Sequence, residues 1–83
     1  METYNKDYGK HFGRNLHRLR KARRLSLRGM EARCGLSHQT LFRYEHGDLP
    51  SMLCALILAD FFGVTLDELI KPQGDGCLNQ SVL

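Results

Sequence analysis

The chain has 83 residues, 42% hydrophobic and 25% charged, with a formal net charge of +3. These numbers describe one small globular domain with a thin single core and leave no room for a second catalytic or sensing domain. The longest apolar stretch, Met52 to Phe62, is interrupted by Asp60 and falls far short of the roughly 20 residues of a membrane span. The start, Met1-Glu2-Thr3-Tyr4, has no apolar signal-peptide core behind it, so the expectation is a cytoplasmic protein that engages no membrane.

Residues 1–10 are polar and aperiodic and read as a flexible arm. From His11 to Arg23, the residues Phe12, Leu16 and Leu19 recur at i, i+4, i+7, which predicts a helix with one narrow apolar stripe. Ser26 is an N-cap candidate for a second helix, Leu27 to Cys34, with Met30 and Cys34 one turn apart. Gly35 follows, where a helix end often needs a positive φ. Ser37 can cap a third helix, His38 to His46, with Leu41 and Tyr44 as its apolar pair. After the turn Gly47-Asp48-Leu49-Pro50, Ser51 caps a fourth helix that ends at Phe62 before Gly63. Thr65 caps a short fifth helix, Leu66 to Ile70. Residues 72–83 read as a frayed tail, so the domain spans 11–71. The predicted fold class is all-α, five helices joined by short links.

Charge is divided along this plan. Residues 1–43 hold eleven Lys and Arg against three Asp and Glu, whereas residues 44–83 hold one against six. A basic half opposed to an acidic half suggests a polyanion-binding side, with nucleic acid and anionic membrane as candidates and a merely solvated basic face as the bland alternative. The first helix is basic and amphipathic, but its stripe is narrow and needed for the core, which argues against a membrane-surface role. Ser26 to His46 has the spacing of a helix-turn-helix: a first helix packs across a second, which projects its leading side chains into a DNA major groove.

The run Leu25-Ser26-x-x-x-Met30-x-x-x-Cys34-Gly35-Leu36-Ser37, then Leu41-x-x-Tyr44-Glu45-x-Gly47-x-x-Pro50, Leu58-Ala59-x-x-Phe62-Gly63-Val64 and Leu66-Asp67-Glu68-Leu69, resembles the Cro/cI-type (lambda-repressor-like, Xre-family) helix-turn-helix regulators over about residues 10–70. The resemblance implies that the third helix is the recognition helix, with His38, Gln39, Thr40 and Arg43 on its exposed face and Phe42 beside them. Gln suits adenine, Arg suits guanine, and an aromatic edge suits the thymine methyl. It implies phosphate contacts from Ser26 and Ser37 at helix N-termini. It also implies a bracing pair between Arg20 and Glu45, with Arg20 sharing its guanidinium with a phosphate. Arg14 and Arg18, in the basic half, are expected to bind phosphates without regard to sequence.

Four positions depart from the family pattern. Leu27 stands where Gln usually bonds a phosphate. Glu31 stands where a small residue lets the two helices approach, so either the helices shift or Glu31 bends out toward a base such as Arg28. Gly29 lies inside the second helix, and Asp48 is acidic in a loop where Lys is preferred. Each bears on DNA affinity more than on the fold.

The remaining residues read blandly. His11, His17, His38 and His46 are not paired at i, i+4, so no metal site is expected, and no cofactor is expected either. Cys34, Cys54 and Cys77 lack a C-x-x-C spacing and read as two core fillers and a tail thiol. No nucleophile–base pair, carboxylate pair or phosphate-cradling loop suggests an enzyme. On the fourth helix, Met52, Ala55, Leu58, Ala59 and Phe62 share the core arc, while Leu53, Ile57 and Phe61 form a second stripe that predicts a homodimer interface. The resulting expectation is a transcriptional regulator at the nucleoid that binds a near-palindromic double-stranded operator as a homodimer. A rival keeps the fold as a protein-interaction module, such as an antitoxin, with the stripe or Cys77 to Leu83 holding a protein partner.

Overall fold

The computed structural model describes residues 8–72. Within them the chain runs through α1 (Tyr8–Ala22), α2 (Leu27–Cys34), α3 (His38–Glu45), α4 (Met52–Phe62) and α5 (Leu66–Ile70), with no strand among the described residues. Four helix starts are set by hydroxyl caps. Ser26 Oγ accepts from the N–H of Gly29, Ser37 Oγ from Thr40, Ser51 Oγ from Cys54 and Thr65 Oγ1 from Glu68. Each satisfies an N–H that has no partner within its own helix. At Thr65 the Glu68 carboxylate reaches back to the Thr65 N–H at 2.8 Å and completes a capping box. Gly35 and Gly63 end α2 and α4 at φ 88° and 71°, in the left-handed region open to glycine.

The core gathers one face from every helix: Phe12 and Leu16 of α1, Met30 of α2, Leu41 and Tyr44 of α3, Leu58 and Phe62 of α4, and Leu69 of α5. Phe12 meets Tyr44 edge to face, centroids 5.9 Å apart, the arrangement that aligns ring edge with ring face. Cys34 and Cys54 are free thiols packed at the core's margin; Cys77, the rest of residues 73–83 and residues 1–7 lie outside the described residues.

α1 starts at Tyr8, so residues 8–10 of the expected arm are helical. The extra turn carries Gly9, which together with Gly13 packs against the end of α3. A Cβ on Gly13 would lie 2.6 Å from the Tyr44 carbonyl oxygen and 2.8 Å from that of Glu45, and one on Gly9 would run into the Gly47 carbonyl. Two glycines one turn apart thus bring the α1 backbone directly against the last carbonyls of α3 and the turn that follows it.

Two positions on α4 reverse the expected pattern. Met52, assigned to the core arc, is 70% exposed: it is the first residue of the helix and overhangs the rim near Leu49. Phe61, assigned to the outer stripe, packs against the core. Arg23 lies over its ring and that of Phe62, at 5.4 and 5.1 Å, and donates to both their carbonyl oxygens. The guanidinium thereby caps the end of α4 and covers the aromatic pair. Of the expected stripe, Leu53 is exposed and Ile57 half-buried.

Candidate nucleic-acid interface

The corner between α2 and α3 is built from local chemistry. The Gly35 N–H donates to the Glu31 carbonyl at 3.0 Å, and two residues later Ser37 restarts the helix. Ser37 Oγ also donates to Thr40 Oγ1 at 2.9 Å, so these two hydroxyls are engaged with each other. At this corner Glu31 pairs with a basic neighbour, as one branch of the sequence expectation had it, but the neighbour is His38, with Arg28 contributing only through its charge. Glu31 Oε1 accepts from the His38 backbone N–H at 3.1 Å and lies 2.8 Å from His38 Nδ1. The His38 side-chain bond first, then its backbone N–H, hold the Glu31 carboxyl below its usual range.

α3 has two faces. Leu41 and Tyr44 are buried, and burial pushes the Tyr44 hydroxyl up to about 12. Gln39, Phe42 and Arg43 are exposed on the other side, with Thr40 and His38 half-buried at the leading end. Phe42 is 50% exposed and stacked on His46, ring centroids 4.0 Å apart, while His46 Nδ1 donates to the Phe42 carbonyl at 2.8 Å. Arg43 Nε donates to Asp48 at 3.0 Å. Both side chains are well exposed, so this pair contributes little and leaves Arg43 free to exchange partners. Asp48, acidic where the family pattern has Lys, is thus the loose partner of Arg43 in this structure.

The far end of α3 is clamped to α1. Arg20 Nε donates to Glu45 Oε2 at 2.7 Å, Nη2 to Oε1 at 3.1 Å and Nη1 to the Leu25 carbonyl at 2.8 Å. His17 Nδ1 lies 3.0 Å from the same carboxylate. Burial raises the Glu45 carboxyl, but the Arg20 and His17 hydrogen bonds and charges outweigh it and hold it below the usual range. The Arg20 side chain is only 11% exposed. The guanidinium is thus engaged with Glu45 and Leu25, while Arg20 also lines the open cleft at this end of α1.

The outward cations lie elsewhere. Arg14 and Arg18 are exposed one turn apart on α1. An open cleft of about 740 Å³ between the end of α1 and the starts of α2 and α3 is lined by Arg20, Lys21, Arg24, Ser26, Leu27, Arg28 and His38. Leu27, in place of the usual Gln, is half-buried against the core. The structure thus brings Ser26 and His38 together with three exposed cations.

Four structural residues escaped the sequence reading. Asn15, 3% exposed, donates through Nδ2 to the carbonyls of Glu68, Leu69 and Lys71 at 3.2, 2.6 and 2.9 Å, tying α1 to the end of α5. A polar residue bordering the Phe12, Leu16 and Leu19 stripe on the helical wheel was the available signal. The Gly9–Gly13 spacing was a second. Nothing in the pattern distinguished Arg23 from its basic neighbours.

Among curated proteins none matches the chain. A solved structure, the crystal structure of the DNA-binding domain of BldD, is similar: 31% identical, with a TM-score of 0.69, over 86% of this chain and 100% of that one. The helix-turn-helix domain family matches residues 11–70, a span that includes the α2–α3 corner and all of α2 to α5. The chain belongs to the helix-turn-helix domain family.

Proposed function

We propose that this protein is a sequence-specific DNA-binding transcriptional regulator that places α3 in the major groove. It binds a near-palindromic operator as a homodimer, where it represses by occluding polymerase or activates by touching it. The observation that carries this reading is the division of α3, whose inner face is locked into the core while Gln39, Phe42 and Arg43 stand outside. The likeness to a domain described as DNA-binding supports it. Arg14, Arg18 and the cations of the cleft supply the sequence-independent attraction to phosphate, and Ser26 and Ser37 lie at helix N-termini that favour an anion. The protein acts at the nucleoid and needs no cofactor or catalytic group.

Dimerisation is assigned to the start of α4. Leu49, Met52, Leu53 and Leu56 are 46–70% exposed, an apolar cluster of the kind that marks interfaces. Two recognition helices of such a dimer would enter successive major grooves about 34–36 Å apart. Selection of bound sequences from a random DNA pool tests the whole reading. The expected product is an inverted repeat with half-sites about one helical turn apart; a pool that shows no enrichment contradicts it. A protein-interaction role on the same fold is favoured by one feature, an apolar groove of about 490 Å³ lined by Tyr8, Leu49, Pro50, Met52, Leu66 and Ile70. A monomer in sedimentation that forms a stable one-to-one complex with a protein partner, without binding DNA, would support that role instead.

A further inference from the structure

The Glu31–His38 contact decides which nitrogen of His38 carries a proton. An ionised carboxylate has acceptors only, and the low-lying Glu31 carboxyl is ionised at neutral pH. At 2.8 Å from Glu31 Oε1, His38 Nδ1 must therefore be the donor. The same oxygen accepts the His38 backbone N–H, which pins the carboxylate to the start of α3 and leaves the ring little freedom to turn. In a neutral imidazole only one nitrogen bears hydrogen. Nε2, on the far side of the ring from Glu31, is then a bare acceptor. The side chain is 30% exposed and faces the cleft at the leading end of α3. The other charged groups lining that cleft are Arg20, Lys21, Arg24 and Arg28. All are cations, so none competes with Glu31 as the acceptor for Nδ1.

We infer that Glu31 sets the tautomer of His38 and thereby the class of base that His38 reads. Nε2, presented as an acceptor, takes a hydrogen bond from the exocyclic amino group of adenine N6 or cytosine N4 in the major groove. It meets the guanine edge, whose O6 and N7 are both acceptors, without a bond. His38 is the specificity-determining residue at one position of each half-site, and Glu31 is its positioning residue. The inference rests on the DNA-binding reading above and adds to it the chemistry of one contact. It also gives a role to an acidic residue that stands where the family pattern has a small one.

The test is selection from a random DNA pool at about pH 8, with the parent chain, His38→Ala, Glu31→Ala and Glu31→Gln. In the parent, one position of each half-site favours adenine or cytosine over guanine by about 3–10-fold, the effect of one hydrogen bond. His38→Ala flattens that position alone. Glu31→Ala flattens it as well, because both tautomers then occur. Glu31→Gln retains the preference, because its amide oxygen still accepts from Nδ1–H. A second measurement needs no variant. A probe in which that adenine is replaced by purine, or that cytosine by 2-pyrimidinone, lacks only the amino group and binds the parent weaker by the same factor. Guanine at that position overturns the inference, as does a motif with no position sensitive to His38→Ala, or an undiminished preference in Glu31→Ala. Those outcomes leave the DNA-binding reading standing, whereas a parent chain that enriches no motif contradicts both.

Discussion

Removing the Arg20 guanidinium tests how α3 is held at its working angle. Glu45 is 5% exposed and Arg20 11% at the side chain, so Arg20→Ala leaves a buried carboxylate with only His17, itself 54% exposed, as a partner. Breaking such a pair from one side costs about 3–5 kcal/mol. At roughly 0.05–0.15 kcal/mol per residue, the described body of the protein has only about 3–10 kcal/mol in total, so this variant is close to unfolded at 25 °C. Arg20→Lys keeps the charge but loses the two-pronged contact and the bond to the Leu25 carbonyl, and loses about 1–3 kcal/mol. Urea unfolding followed by far-UV circular dichroism reads both, since the chain has no Trp to report by fluorescence. The pH dependence adds a sign. In the parent, the Glu45 carboxyl is held low. Its stabilisation is therefore present above the unfolded value of about 4.3 and lost as pH falls through the lower folded value. In Arg20→Ala burial is the largest remaining influence and raises the carboxyl, so stability increases on acidification toward the unfolded value of about 4.3. A double-mutant cycle with Glu45→Ala that gives a coupling below about 0.5 kcal/mol, or a variant that keeps the parent's pH profile, would refute the bracing argument.

Gly13→Ala drives a methyl group against the Tyr44 and Glu45 carbonyls and lowers stability by about 1–3 kcal/mol despite the better helix former; thermal unfolding measures it. Asn15→Asp turns two donors into acceptors facing three carbonyls and lowers the midpoint by roughly 10 °C or more, taking about 2 kcal/mol at 4–8 °C per kcal/mol; a shift under about 3 °C contradicts the tether between α1 and α5. Leu53→Lys shifts the sedimenting species from dimer to monomer at micromolar concentration while leaving the circular dichroism spectrum intact, because the side chain is 67% exposed; an unchanged mass contradicts the interface. Arg14→Ala or Arg18→Ala weakens all DNA sequences alike and reduces the slope of log K against log salt by about one.

Helix starts were legible because a hydroxyl residue stands at each of Ser26, Ser37, Ser51 and Thr65, and each side chain takes up an N–H that nothing else in its helix can reach. The inner face of α3 was legible from two residues, Leu41 and Tyr44, three apart. What the pattern hid was the manner in which helices meet. Periodicity gives the direction in which a side chain points but not how far along the helix its neighbours extend. Met52 accordingly overhangs the rim while Phe61, on the other arc, lies under Arg23. The approach of α1 to α3 depends on Gly9 and Gly13, whose contribution is the absence of a side chain. The outer face of α3 was readable as residue types, but not in its pairings: Thr40 is engaged with Ser37, His38 with Glu31 and Arg43 with Asp48. Such pairings arise across the corner and the following loop, where spacing along the chain says little about distance.

The account turns on the outer face of α3 discriminating among base pairs. Titration of the parent and of Arg43→Ala and Gln39→Ala against the selected operator, its single base-pair variants and a scrambled duplex at fixed salt measures that directly. The account predicts that each substitution loses roughly 1–3 kcal/mol on the operator and becomes indifferent to one base pair while remaining sensitive to the others. Equal affinity of the parent for operator and scrambled duplex would contradict it.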